Sequence, residues 1–349
     1  MDGEGSFGGE GFVPLEELKL GASAQSRFLK QGYRIIGEHG HGAVKLCHWT
    51  KSALKGGEMC YKNTFYGIES HRCMQMTPSL PSCNYACNFC WRDHFGNKPT
   101  LEGFELDTPK NLFEGTVDAQ LHLLQGYKGN PKVAYATYLE ATRPKHVAVS
   151  LNGEPTNYPH LSEFFAACHE RGITTFLVTN GSNPDIVRSL NPYPTQIYLS
   201  VDAPNKETFE KLCNPLLPNL WERFNETVDA FATLPTRTVN RFTLVKDWNM
   251  FGCEEEYAAI LKRSRPMFIE SKGYSWMGGS TSHLKRENMP TMDEIRAFTK
   301  RIAELTGYEF VADREDSRVT LLSRVGTDTK IPGLGGKAGT PFGGPVPAP

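Results

Sequence analysis

The 349-residue sequence has no apolar run of the roughly 20 residues that a membrane-spanning helix needs, so nothing in it marks a bilayer span. It has no surplus of either charge. Thirty-eight Lys and Arg stand against 39 Asp and Glu, for a net charge of −1, which excludes a globally basic nucleic-acid binder while leaving room for a local basic face. The first residues, Met1 to Glu10, are Gly-rich and acidic. They lack the basic start and apolar middle of a secretory signal, so a cytoplasmic protein is expected. No internal repeat is present. With 39% hydrophobic and 22% charged residues, the composition is that of an ordinary globular chain of one large or two smaller domains.

Cysteine is present and unevenly placed. Cys47, Cys60, Cys73, Cys83, Cys87 and Cys90 fall in one short stretch, whereas Cys168, Cys213 and Cys253 are scattered. The scattered three read as small buried residues. In the cytosolic chain expected here, the cluster points to metal binding rather than to disulfides.

From Met74 onward apolar runs alternate with helical patterns. Strands are expected at Met74–Leu80, His146–Leu151, Thr174–Thr179, Gln196–Val201, Arg241–Val245 and Met267–Ser271. Helices are expected at Pro109–Gln125, Pro159–Arg171, Pro184–Leu190, Lys206–Leu212, Leu220–Ala232, Glu254–Ser264 and Met292–Leu305. Several begin at Pro or acidic residues, as helix N-termini do. Six strand–helix units argue for a parallel α/β sheet, and both a partial barrel and a doubly wound sheet fit. Either gathers its ligands at the carboxyl ends of the strands. There the sequence carries Asn152-Gly153-Glu154-Pro155, Asn180-Gly181-Ser182, Asp202-Ala203-Pro204 and Lys246-Asp247. The expected division is an N-terminal extension (1–32), a segment with the first three clustered cysteines (33–77), an α/β core (78–325) and a Gly/Pro-rich disordered tail (326–349).

Cys83-x3-Cys87-x2-Cys90 can bring three thiolates around one centre. A four-iron cluster normally takes four thiolates, so three leave one iron open to an outside ligand. The alternative is a zinc knuckle with a fourth ligand such as His94. With Phe89 just before the last cysteine, the motif resembles the signature of the radical S-adenosylmethionine (SAM) superfamily. That resemblance implies a partial (β/α)6 TIM-like barrel. It also implies a [4Fe-4S] cluster whose open iron binds the amino and carboxylate groups of SAM, and a 5′-deoxyadenosyl radical. Gly153-Glu154-Pro155 resembles the family's Gly-Gly-Glu element, with Asn152 in place of the first Gly. Glu154 would then accept hydrogen bonds from the SAM ammonium. Thr179 and Asn180, and Ser200 and Asp202, end the next two strands and suit the methionyl and ribose groups. Singly each reads as a turn or cap residue; their shared position favours a site.

Cys47-x12-Cys60-x12-Cys73 reads as three incidental thiols or as a second three-thiolate cluster. The words around it are Cys60-Tyr61-Lys62, Phe65-Tyr66-Gly67-Ile68, Ser70-His71-Arg72-Cys73, Gln75-Met76-Thr77-Pro78 and Cys90-Trp91-Arg92. Together they look like the tRNA 4-demethylwyosine synthase family, over the stretch from Cys47 to Phe310. The resemblance implies an auxiliary [4Fe-4S] cluster on Cys47, Cys60 and Cys73. It implies tRNA-Phe carrying N1-methylguanosine 37 as substrate, pyruvate as a two-carbon donor and 4-demethylwyosine as product. Lys62 matches the family lysine that forms a Schiff base with pyruvate, and the other reading of it is a solvated lysine or a phosphate contact. Too few residues precede Cys47 for the flavodoxin-like domain of eukaryotic relatives. An archaeal-type monomer served by a separate flavodoxin- or ferredoxin-like electron donor is expected.

A tRNA substrate calls for basic patches. The candidates are Lys51 with Lys55, Arg92 with Lys98, Arg143 with Lys145, Lys262-Arg263-x-Arg265 and Lys285-Arg286, each of which also reads as a solvated face. Lys272 to Ser280 joins a cation, Tyr274, Trp276 and a Gly pair, and suits base stacking. Two further readings stand beside this one: a radical SAM enzyme acting on another substrate, and a zinc-dependent RNA-binding protein without catalysis.

Overall fold

The computed structural model describes residues 22–334 except 93, 95 and 96. One ten-stranded sheet organises them, in the spatial order β1-β2-β3-β4-β5-β6-β7-β8-β10-β9. The strands are β1 (Arg34–Ile36), β2 (Gly42–Val44), β3 (Cys73–Thr77), β4 (His146–Val149), β5 (Thr174–Thr179), β6 (Gln196–Ser200), β7 (Arg237–Leu244), β8 (Phe268–Gly273), β9 (Glu309–Arg314) and β10 (Val319–Ser323). β3 to β8 are parallel neighbours in chain order. The antiparallel pair β1-β2 flanks β3, and β10-β9 flanks β8. The helices are α1 (Ala22–Lys30), α2 (His48–Leu54), α3 (Tyr61–Tyr66), α4 (Pro109–Leu124), α5 (Tyr135–Ala141), α6 (Leu161–His169), α7 (Pro184–Ser189), α8 (Lys206–Thr208), α9 (Leu220–Phe231), α10 (Glu254–Ser264) and α11 (Met292–Thr306). The six expected strands are all present, joined by helices, and the architecture is a partial TIM-like barrel.

Side-chain alternation along the strands separates two environments. Met74, Met76, Val147, Val149, Leu177, Ile197, Leu199, Phe242, Leu244 and Ile269 pack outward under the helices, with Phe164, Tyr257 and Phe298. The opposite face carries Ala148, Phe176, Tyr198, Val239, Phe268, Val319 and Leu321, and α3 fills it with Tyr61, Phe65 and Tyr66. The barrel interior is therefore partly plugged by an aromatic helix from the cysteine-rich segment. Local signals set the helix ends. Thr108 caps α4 by accepting from the Asn111 N–H, with Pro109 following, and Thr291 and Glu294 form a reciprocal capping box on α11.

Two expected boundaries shift. The described part of the N-terminal extension is a packed helix, because Ala24 and Phe28 of α1 bury themselves with Tyr33, Ala43, Leu80 and Leu151. The expected tail begins with an anchored segment. Ile331 is buried against the α3 aromatics, its N–H donates to the Tyr66 carbonyl at 3.2 Å, and Arg237 donates to the carbonyls of Asp328 and Thr329. Residues 1–21 and 335–349 of those two expected segments lie outside the described residues.

The cysteine-rich segment is tied to the barrel by a buried histidine. The Glu69 N–H donates to His146 Nε2 at 3.1 Å, so the ring proton sits on Nδ1 and faces Thr174 Oγ1 at 2.6 Å. Burial pushes the His146 pKa down to about 3 from an ordinary 6.5. Below pH 6.5 the unfolded chain therefore binds a proton that the folded chain refuses, and stability is lost as pH falls. The expected contribution is about 1.4 kcal/mol per pH unit below 6.5. Urea unfolding between pH 7 and 5 should show a shallower pH slope for His146→Gln than for the unaltered protein.

Candidate functional site

The loop after β3 carries Cys83, Cys87 and Cys90, and the neighbouring strand-end loops stitch it down. The Glu154 N–H donates to the Ser82 carbonyl at 2.8 Å. Asn84 donates to Ser182 Oγ at 2.7 Å and accepts from Asn180 Nδ2 at 2.8 Å. From the other side the Ala86 and Asn88 N–H groups donate to the carbonyls of Asn214 and Leu212. This second wall is a single wide turn of π-helix at Phe209–Cys213. Gly153 sits at φ +73°, and a Cβ there would lie 2.0 Å from the Ser79 carbonyl oxygen and 2.5 Å from that of Ser82. Only glycine lets the β4 loop reach the cysteine loop this closely.

Cys83, Cys87 and Cys90 are each half-buried, and Cys87 lies close enough to raise the pKa of both Cys83 and Cys90. Burial is the main cause for Cys83 and for Cys90, which is pushed up to about 12. For Cys87 the main cause is a hydrogen bond with the Cys213 thiol. Cys213, expected to be an incidental buried residue, is buried against this loop. These thiols are neutral until a metal group displaces their protons.

The second triplet converges in the same way. Cys47 precedes α2, and its sulfur accepts from the Thr50 N–H at 3.3 Å. Cys60 precedes α3, and its N–H donates to Ser70 Oγ at 2.9 Å. Cys73 opens β3. The Thr50 hydroxyl donates to the Ser70 carbonyl at 3.0 Å, so Thr50 and Ser70, neither of them singled out from the sequence, fix the two helix starts relative to each other. Burial raises Cys60 to about 11 and raises Cys73 further, with Cys47 adding to both. Among the described residues no three His, Cys, Asp or Glu side chains are gathered to hold a single metal ion. A four-iron cluster is several ångströms across and sits among thiols held apart. Two sets of three half-buried thiols fit such a group.

Lys62 follows Cys60 in the first turn of α3. Its Nζ stands 4.4 Å from the centroid of the Tyr198 ring and 5.5 Å from that of Phe176, and among the described residues it makes no hydrogen bond or ion pair. Around it lie Glu270 and Arg241, which the sequence reading missed, and Lys272, expected as an RNA-facing cation but half-buried here. Glu270 is buried, and its two oxygens accept from Tyr61 at 2.9 Å and Tyr66 at 2.7 Å. Lys272 donates to the Ser317 carbonyl at 2.7 Å; burial, with Arg241 adding, pushes its pKa down to about 8. Arg241 lies 6.0 Å from the Tyr198 centroid. The signal was available: Arg241, Glu270 and Lys272 occupy the inward parity of β7 and β8, the parity of Val239 and Phe268.

The expected cofactor-binding residues do meet at the strand ends, in unequal roles. Glu154 is buried and well occupied. Its Oε1 accepts from the Thr156 N–H, the Thr156 hydroxyl and the Thr179 hydroxyl, and its Oε2 accepts from the Asn180 N–H at 2.8 Å. Burial still raises its pKa. The Thr179 hydroxyl also accepts from the Gly181 N–H, so it braces the loop. Asp202 accepts from the Thr243 N–H at 2.7 Å, and burial pushes it up to about 6 against the pull of Arg241. Ser200 is half-buried in register with Arg241. A surface hollow of about 400 Å³ between α4 and α6 holds none of these residues.

The expected RNA contacts divide. Tyr274 is buried, with its hydroxyl donating to Ser280 Oγ at 2.8 Å, so it is a core residue. The Gly pair is a packing device: a Cβ on Gly278 would meet the Trp91 carbonyl oxygen at 2.2 Å. Arg92 is buried, stacked 3.8 Å from the Trp91 ring and donating to the Tyr33 hydroxyl. Lys145 is paired with Glu69, and Arg263 with Asp229. Trp276 is exposed, anchored only through Nε1 to the Leu284 carbonyl.

Residues 77–258 match the family model described as the radical SAM superfamily, and residues 263–324 match the one described as wyosine base formation. The chain is similar to the tRNA 4-demethylwyosine synthase of Pyrococcus abyssi, at 44% identity over 89% of this chain and 91% of that protein. It is 40% identical to the human counterpart over 84% of this chain and 40% of that longer protein. Among solved structures it resembles a TYW1 with a lysine–pyruvate adduct bound (TM-score 0.80, 35% identity, 89% of this chain and 99% of that one). It also resembles an archaeal TYW1 (TM-score 0.73, 32% identity, 89% and 99%).

Gly153→Ala should cost well over the roughly 1 kcal/mol of an ordinary Gly-to-Ala exchange, because a carbonyl oxygen must move. Hydrogen exchange should show faster exchange across residues 79–90, with the α4 core unchanged.

Proposed function

The chain belongs to the tRNA 4-demethylwyosine synthase family of radical SAM enzymes, and from that premise we propose how its residues divide the work. The reaction condenses N1-methylguanosine 37 of tRNA-Phe with pyruvate to form 4-demethylwyosine. Cys83, Cys87 and Cys90 would hold the SAM-binding [4Fe-4S] cluster. Cys47, Cys60 and Cys73 would hold a second, auxiliary one. When bound, the first cluster and SAM supply the 5′-deoxyadenosyl radical that starts the chemistry.

The protein's own part is placement. Glu154 organises the ends of β4 and β5, with the outer lone pairs of Oε2 left for a cofactor ammonium. Asn180, Ser200 and Asp202 line the next two strand ends, where the methionyl and ribose groups would lie. Lys62 is the nucleophile toward pyruvate: its amine adds to the carbonyl, water leaves, and a C=N bond joins the donor to the chain. The observation that carries this assignment is the Lys62 amine itself. It stands between two aromatic faces beside Cys60, unheld by any acceptor, and a solved relative carries a lysine–pyruvate adduct.

The tRNA would approach the carboxyl-end rim. The loops there expose Trp91, Trp248, Phe251, Trp276 and Met277, large apolar side chains able to stack on unpaired anticodon-loop bases. The enzyme would act in the cytoplasm as a monomer that takes electrons from a separate flavodoxin- or ferredoxin-like protein.

Anaerobically reconstituted protein should be brown and bind about eight irons per chain. A Cys83/Cys87/Cys90→Ala variant should keep about four and lose SAM cleavage. Colourless zinc-loaded protein would reject the enzyme reading, and four irons in the unaltered protein would reject the auxiliary cluster. Lys62→Ala should retain SAM cleavage while forming no tricyclic base with methylated tRNA and pyruvate; equal loss of both would make Lys62 structural. Trp276→Ala should weaken tRNA binding by about 1–3 kcal/mol, roughly 5- to 150-fold in Kd, without changing SAM affinity.

A further inference from the structure

Three cations, Lys62, Arg241 and Lys272, project into the barrel, and each keeps part of its surface open although it lies deep within the fold. Lys272 is committed to the Ser317 carbonyl. Among the described residues the Arg241 guanidinium donates no hydrogen bond and has no carboxylate within 4.0 Å, although the charges of Glu270 and Asp202 favour its protonated form. Glu270 lies in register beside it, but both Glu270 oxygens are taken by tyrosine hydroxyls. Its charge is offset by those carboxylates, but N–H groups of a fork at such depth are costly without an acceptor, which the carboxylate of a bound acid would supply.

We propose that Arg241 is the carboxylate-binding residue for the 2-oxo acid whose carbonyl is attacked by Lys62. The inference rests on the assignment of Lys62 above. The amine and the guanidinium lie on one ring, 4.4 Å and 6.0 Å from the Tyr198 centroid. A 2-oxo acid bonded to an amine at C2 and hydrogen-bonded to a guanidinium through its carboxylate sets the two nitrogens roughly 5–6 Å apart. In the condensation the amine nitrogen bonds to C2 and the keto oxygen departs as water, while the carboxylate stays ionised and held. Arg241 thus positions the acid and rejects ketones that lack the negative charge.

The test is adduct trapping on the iron-loaded enzyme under anaerobic conditions. Cyanoborohydride reduces the C=N bond, and peptide mass spectrometry locates and quantifies the adduct. The probes are pyruvate and its uncharged methyl ester. The unaltered enzyme should trap pyruvate on Lys62 with a half-saturating concentration about tenfold or more below that for the ester. Arg241→Gln should raise the pyruvate value to that of the ester, leave the ester value in place, and keep the full iron content. Arg241→Lys, which retains the charge without the fork, should fall between. Unchanged half-saturation in Arg241→Gln overturns the proposal and leaves Lys62 as nucleophile. Absence of any adduct on Lys62 in the unaltered enzyme overturns both. If Arg241→Gln does not fold, equal trapping of acid and ester by the unaltered enzyme is the overturning result.

Discussion

The clamp of Tyr61 and Tyr66 on Glu270 is the interaction on which the arrangement depends. It joins residues more than 200 positions apart. A carboxylate buried without donors would be strongly destabilising, and hydrogen bonds to a charged group are worth about 1.5–3 kcal/mol each. Both phenols come from α3, so satisfying Glu270 sets that short helix across the barrel. Everything borne by α3 follows: Cys60 at its start, Lys62 in its first turn, and the aromatic plug that fills part of the interior. Isolated, a helix of six residues would not persist; here β8 holds it.

The cysteine loop after β3 follows a second logic. It has no regular structure to fix three thiols, so their positions are borrowed. The β4 loop supplies Gly153 and Glu154, the β5 loop supplies Asn180 and Ser182, and the π-helical turn supplies backbone acceptors. Polar residues that look like cofactor contacts by their place at strand ends are thus partly scaffolding. Thr179 is the clearest case, with its hydroxyl used on both sides.

The parallel strands were legible in the sequence because β3 to β8 each precede a helix whose start carries Pro, an acidic residue or a capping side chain. The six cysteines were legible through spacing. What escaped has physical reasons. β1 and β2 are three residues long, too short for any periodicity, and β9-β10 is an antiparallel pair outside the strand–helix rhythm. α3 is shorter than two turns and is made by a tertiary contact. Arg241 and Glu270 went unnoticed, and Lys272 was read as an RNA-facing cation, because charge on a strand reads as solvent-facing until closure of the sheet turns that face inward. Tyr274 and the Gly278–Gly279 pair were misjudged as pliable RNA contacts for the opposite reason: packing beneath the rim gives them a use that no local pattern displays.

The seating of Ile331 has a consequence for biosynthesis. α3 is made well before its packing partners in the barrel, which arrive with β8 and β10 and then with Ile331, whose N–H closes on Tyr66, and Leu334. Chains grow from the N-terminus and their early segments wait for later ones. The first three cysteines are therefore synthesised long before the walls that will enclose them, and the site they form cannot close until those walls have been made.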